Sequence, residues 1–166
     1  MDAVLGLSVT PTSVGLVLVG GQDGDGITLD GDGFEVRRPS TAVQTSERAA
    51  AAVRRTEAFA ADHGRRVHSI GVTWSDDADT EASLLLKSLS DSGFDNIVPV
   101  RLSEATDALA RQIAQILGYQ TTAICVIEPE QLIALVVSVD EWSESSVQTA
   151  VNHSICLLYT SDAADE

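Results

Sequence analysis

The stretch that most limits what this chain can fold into is Ala3 to Gly21, AVLGLSVTPTSVGLVLVGG. Apolar runs from Val4 to Val9 and from Val14 to Val19 flank the polar centre Thr10-Pro11-Thr12-Ser13, and a Gly-Gly pair closes the unit. Two such runs around a Pro/Ser/Thr turn predict a β-hairpin. The rest of the chain has to build on that hairpin.

From Gln22 to Gly33 the tetrapeptide Asp-Gly-Asp-Gly occurs twice, around the short run Ile27-Thr28-Leu29. Paired aspartates suggest calcium, but an EF-hand loop needs ligands at alternating positions and a closing bidentate Glu, and the spacing here supplies neither. The segment is therefore read as turn, with a third strand over Phe34 to Arg38 stopped by Pro39. A helix is predicted from Thr45 or Ser46 to the terminator Gly64, with Ala49, Ala52, Val53, Thr56, Phe59 and Ala60 on its packing face and Arg54 and Arg55 on its solvated edge. Val67 to Trp74 is a fourth strand. His63 and His68 have no Cys or second carboxylate at metal-ligand spacing. Asp76, Asp77 and Asp79 precede a helix to about Ser92, with Leu84, Leu85, Leu86 and Leu89 giving it an apolar side. These carboxylates are read as capping that helix and complementing its dipole rather than as a metal site. Asn96 to Val100 is a short strand, Ser103 to Leu117 a third helix without a full capping box, and Thr122–Ile127, Leu132–Val139 and Ser146–Val151 are three further strands. No linker or internal repeat is visible, and one core is expected.

The order of elements, three strands and then alternating helices and strands, is α/β, with an antiparallel start feeding parallel crossovers. Charge narrows the partners. The 25 acidic residues against 10 basic ones leave a formal net charge of −15, which disfavours nucleic acid or an anionic membrane, since phosphates are bound by Lys and Arg. Lys87 is the only lysine, and the wealth of Ala and Arg points to GC-rich bacterial coding. Met1-Asp2 is acidic where a signal peptide needs basic residues, and no stretch reaches about 18 uninterrupted apolar residues, so a cytoplasmic location is expected. Cys156 to Glu166, CLLYTSDAADE, resembles the in-frame translation of a sequencing adapter and is set aside from fold reasoning. The expected domain is then residues 1–155, continuing in the natural protein beyond Ile155. Cys125 is left alone, with no disulfide or metal clip to form.

On these residues the chain resembles the first lobe of the actin, sugar-kinase and heat-shock-chaperone superfamily, an RNase H-like fold, from about Leu5 to Val151. Leu5-Gly6-Leu7-Ser8-Val9-Thr10-Pro11-Thr12 lies over the first phosphate segment of that family, apolar-Gly-apolar-Asp-apolar-Gly-Thr-Thr. Gly71-Val72-Thr73-Trp74-Ser75, followed by an acidic helix start, is similar to a second family strand. Ser103-Glu104-Ala105-Thr106-Asp107-Ala108 resembles the family's Asn-Glu-Pro-Thr-Ala-Ala. Ile124 to Val137 falls where the second phosphate hairpin belongs. More narrowly, the chain resembles the N-terminal domain of a set of uncharacterised mycobacterial proteins, some labelled chaperone-like.

The resemblance implies nucleotide-site positions at Ser8, Thr10, Thr12, Ser13, Glu104 and Glu128, and departs from the family at most of them. Ser8 replaces the Asp that positions hydrated Mg²⁺. Thr10 and Pro11 replace Gly-Thr, which removes an N–H and adds a side chain where backbone should approach phosphate. Glu128 stands at the second Asp position, but Pro129-Glu130-Gln131 replaces the glycines and adds a carboxylate beside the anion. Each lost electrostatic group costs about a hundred- to a thousandfold in turnover. The expectation is a non-catalytic, degenerate domain that binds no cofactor and acts on a protein partner as an interaction or regulatory module. The alternative is an ATP-binding or ATP-hydrolysing domain of chaperone type, with Mg-ATP held by further ligands beyond Ile155. A hydrolase or nuclease using Asp76, Asp77 and Asp79 comes third.

Overall fold

The computed structural model describes residues 1–20, 27–37, 39–127, 132–140 and 143–152. Strands β1 (Asp2–Val9) and β2 (Ser13–Gly20) form the expected hairpin, closed by the antiparallel pair Val9 and Val14. Its register sets Leu5 opposite Leu18 and Leu7 opposite Leu16, so that one face of both strands is apolar and buried. Because side chains alternate along a strand, a slip of one residue would turn that whole set to the other face. Full burial of each such side chain contributes about 1.5–3 kcal/mol.

Strand β3 runs from Ile27 to Glu35, antiparallel to β2. The second Asp-Gly-Asp-Gly run, read from sequence as turn, thus lies inside a strand, while the first falls outside the described residues. The physical reason is position. Strand β3 is the sheet edge, where Asp30 and Asp32 can face solvent and blunt further pairing. Gly33 serves a close approach, since a Cβ there would stand 3.1 Å from the Val14 carbonyl oxygen.

Two parallel crossovers complete this sheet. Helix α1 (Ala42–Asp62) leads to β4 (Arg66–Trp74), which lies parallel to β1 with Ile70 beside Leu5 and Val72 beside Leu7. A single 3-10 turn (Asp76–Ala78) and helix α2 (Asp79–Asp91) lead to β5 (Ile97–Pro99), parallel to β4. The strand order is β3-β2-β1-β4-β5. One core joins the apolar sheet face to Ala49, Ala52, Val53 and Ala60 of α1 and to Leu85 and Leu89 of α2.

Helix α1 starts four residues before Ser46. Thr41 caps it, its hydroxyl accepting from the Gln44 N–H at 3.2 Å while the Gln44 side-chain oxygen accepts from the Thr41 N–H at 3.0 Å. Thr45 and Ser46 are instead buried within the helix. Phe59, expected on the packing face, is 37% exposed and lies against the His63 ring at 4.2 Å.

The chain forms two compact units, Met1–Val100 and Arg101–Glu166, where composition predicts one core. The second contains helix α3 (Leu102–Leu117), ended by Gly118 at φ +67°, and strands β6 (Thr121–Ile127), β7 (Leu132–Asp140) and β8 (Ser143–Asn152). These strands pair antiparallel in the order β6-β7-β8. They repeat the meander of β1, β2 and β3. The pairs Val9–Val14 and Ile127–Leu132 each enclose four residues, with proline second in each sequence, Pro11 and Pro129. Each unit thus contains a three-stranded antiparallel meander.

Candidate functional site

The turn between β1 and β2 is where a phosphate-binding hairpin would present backbone N–H groups to an anion. Here those groups are used internally. The Thr10 Oγ1 accepts from the Ser13 N–H at 2.9 Å and from the Thr12 N–H at 3.3 Å. The Thr10 N–H donates to the Ser13 carbonyl at 2.9 Å, and Pro11 has no N–H to offer. The hydroxyls of Thr10 and Ser13 lie 3.0 Å apart. The Thr12 carbonyl accepts from the Val36 N–H at 2.8 Å, which ties the turn to the segment after β3. Three of the expected positions, Thr10, Thr12 and Ser13, are thus brought together, as partners of one another.

Ser8 is exposed, on the sheet face opposite the core. It pairs across β2 with Gly15 and across β4 with Thr73. A Cβ on Gly15 would stand 2.9 Å from the Ser8 Oγ, so the glycine makes room for the serine. Close by, the Ser75 N–H donates to the Val9 carbonyl at 3.1 Å, joining the carboxyl ends of β1 and β4. At those ends the hydroxyls of Thr73 and Ser75 are buried without a hydrogen-bond partner, Ser75 being only 1% exposed. The sequence places both in a stretch similar to a family strand but gives neither a site role, since a Ser or Thr at a strand end carries no distinguishing pattern.

The aspartates after β4 take local roles. Asp76 and Asp77 lie in the 3-10 turn, and Asp79 in the first turn of α2 accepts from the Trp74 indole N–H at 3.2 Å. Their charges complement the helix start, but no side-chain cap bond forms there, which corrects the capping expectation. In the second unit, Glu104 lies in the first turn of α3 and accepts from the Arg101 N–H at 3.3 Å. That is half of a capping box, because the arginine side chain at the cap position has no acceptor to complete it. Glu128 lies outside the described residues, as do Pro129 to Gln131 and Cys156 to Glu166.

An edge-to-edge order of β3-β2-β1-β4-β5, with an antiparallel start, parallel crossovers and a hairpin turn at the carboxyl end of β1, defines the RNase H-like, actin-like ATPase class of fold. Solved structures agree. The Aquifex aeolicus member of the Ppx/GppA protein family aligns at TM-score 0.63 and 10% identity, covering 99% of this chain and 55% of its own. An exopolyphosphatase from Cytophaga hutchinsonii aligns at TM-score 0.58 and 9% identity, covering 91% and 50%. RuvC from T. thermophilus, in complex with a Holliday junction substrate, aligns at TM-score 0.52 and 16% identity, covering 71% and 80%. The chain therefore spans about half the length of the Ppx/GppA-type structures it resembles. A comparison with curated protein sequences gives no match. The chain belongs to DUF7159, a family of unknown function, whose model matches residues 2–165.

Proposed function

We propose that this domain has given up phosphate binding at its first hairpin and serves as a non-catalytic interaction or regulatory module with a protein partner. The observation that carries the reading is the closed turn, in which the N–H groups of Thr10, Thr12 and Ser13 all donate within the turn. A nucleotide phosphate would have to displace the Thr10 hydroxyl and would still meet a proline without a donor at Pro11. The absence of an acidic side chain at Ser8 removes the usual hold on a hydrated Mg²⁺. The net charge of −15 favours a protein over nucleic acid as the partner, and a cytoplasmic setting goes with that proposal. No described helix is long and apolar enough to cross a membrane.

Isothermal titration of Mg-ATP and Mg-ADP into the protein tests this directly. The expected result is no saturable heat below about 1 mM, and a micromolar dissociation constant, about −8 kcal/mol, would sink the reading.

One observation favours a second reading, in which a nucleotide does bind, with ligands outside the described residues. The buried hydroxyls of Thr73 and Ser75 lack partners at the carboxyl ends of β4 and β1, and an unpaired buried hydroxyl is expensive unless something polar meets it. Under that reading Mg-ATP binding is present and Ser75→Ala weakens it.

A further inference from the structure

A second feature lies away from the hairpin turn, where the chain passes from β3 into α1. A cleft of about 420 Å³ opens there. Phe34, Val36 and Pro39 form its apolar side, and Gln44, Thr45 and Arg48 of α1 its polar side. A neighbouring cleft of about 440 Å³ shares Phe34 and Arg48 and adds Arg37 and Glu35. Volumes of this order hold small organic ligands.

The polar side offers donors that nothing else in the described structure uses. Arg48 lies over the Phe34 ring, its guanidinium carbon 4.0 Å from the centroid. Stacking fixes the plane of the guanidinium and leaves its N–H edge free to bond. Among the described residues the ion pairs are Arg55–Asp32, Lys87–Asp91 and Arg111–Asp107; neither Arg48 nor Arg37 takes part. Arg54, Arg65, Arg66 and Arg101 also lack a carboxylate among the described residues, so what sets Arg48 apart is its stacking on Phe34 beside a cleft. Gln44 uses its side-chain oxygen on the Thr41 N–H, so that its amide N–H groups remain to donate. Thr45 is 5% exposed, lines the cleft, and has no side-chain hydrogen bond. A largely buried threonine that lines the cleft and carries an unbonded hydroxyl is the feature that points to an occupant. The start of α1 is not itself the attractor, because the Thr41 hydroxyl already takes the Gln44 N–H.

We infer that this cleft binds a small organic anion, with a carboxylate or phosphate head held by Arg48, Thr45 and Gln44 and a flat apolar body against Phe34, Val36 and Pro39. Arg48 brings a positive charge that disfavours a cation, Glu35 lines only the neighbouring cleft, and the apolar wall gives an inorganic ion nothing to bury. None of the turn residues Thr10 to Ser13 lines the cleft, although the Val36 N–H joins its wall to the Thr12 carbonyl, and the proposal does not require nucleotide at the turn.

Amide chemical-shift titration of the labelled protein tests the proposal with benzoate and phenyl phosphate as probes. Benzyl alcohol serves as the uncharged control and inorganic phosphate as the control without an apolar body. Saturable shifts of the Phe34, Val36, Gln44, Thr45 and Arg48 amides are expected with one or both aryl anions, and the stronger of the two identifies the head group. Arg48→Gln should weaken binding about tenfold or more and Thr45→Val severalfold, with Arg54→Gln on the exposed side of the same helix leaving it unchanged. Equal binding of benzyl alcohol, equal binding of inorganic phosphate, undiminished binding by folded Arg48→Gln, or no shifts at millimolar probe would each overturn the proposal.

Discussion

Thr10 does within the first turn what a bound anion does in a phosphate-binding loop, since one oxygen collects the N–H groups of Thr12 and Ser13. Replacing it with valine keeps the shape and removes the acceptor. Thr10→Val should lower stability by about 0.5–1.5 kcal/mol in urea denaturation, the net worth of such bonds in an exposed turn, and Thr10→Ser should restore most of it. An unchanged midpoint for Thr10→Val would mean that the hydroxyl does not hold the turn. The sequence showed that glycine is missing from this turn, but not what its N–H groups do instead. That depends on the Thr10 side chain folding back over two residues, which is a matter of geometry. The same holds at Arg48, whose place on the Phe34 ring joins residues on different elements, and at the hydroxyls of Thr73 and Ser75.

At the scale of elements, the hairpin, β4 and the cores of all three helices were legible, because each carries its own hydrophobic period. Helix ends were less so. The start of α1 was set by the reciprocal bonds of Thr41 and Gln44, a capping box ending in glutamine, and Thr45 and Ser46 offered competing caps four and five residues on. Thr41→Ala should cost about 0.5–2 kcal/mol, read from the shift of the urea midpoint at constant slope; a shift below a few tenths would place the helix start elsewhere. Strand β3 was misread for a different reason. Alternating Asp and Gly satisfies both a turn and a solvent-facing edge strand, and only pairing with β2 decides between them. Register makes the choice, with Gly33 opposite Gly15 and Gly31 opposite Val17.

For the whole molecule, the two units Met1–Val100 and Arg101–Glu166 replace the single core that length and composition suggest. Two compact units need not unfold together. Scanning calorimetry of the protein should therefore give a calorimetric enthalpy larger than the van't Hoff value, with two overlapping transitions, and a ratio of one would show a single cooperative unit. Among the described residues the strands β6, β7 and β8 pair with one another in a sheet of their own, and the chain spans about half the length of the Ppx/GppA-type structures it resembles.

What the sequence alone determined was the α/β class, the antiparallel start and parallel crossovers, and the loss of glycine and of an acidic group at the first turn. Each of these is local, written in apolar spacing or in the presence or absence of one residue type. Only the tertiary structure decided the edge position of β3, the division into two units, the closed hydrogen bonding of the Thr10 turn and the cleft between Phe34 and Arg48. Each of those depends on which distant residues meet, and strand pairing and side-chain packing choose among partners that the linear order leaves equivalent.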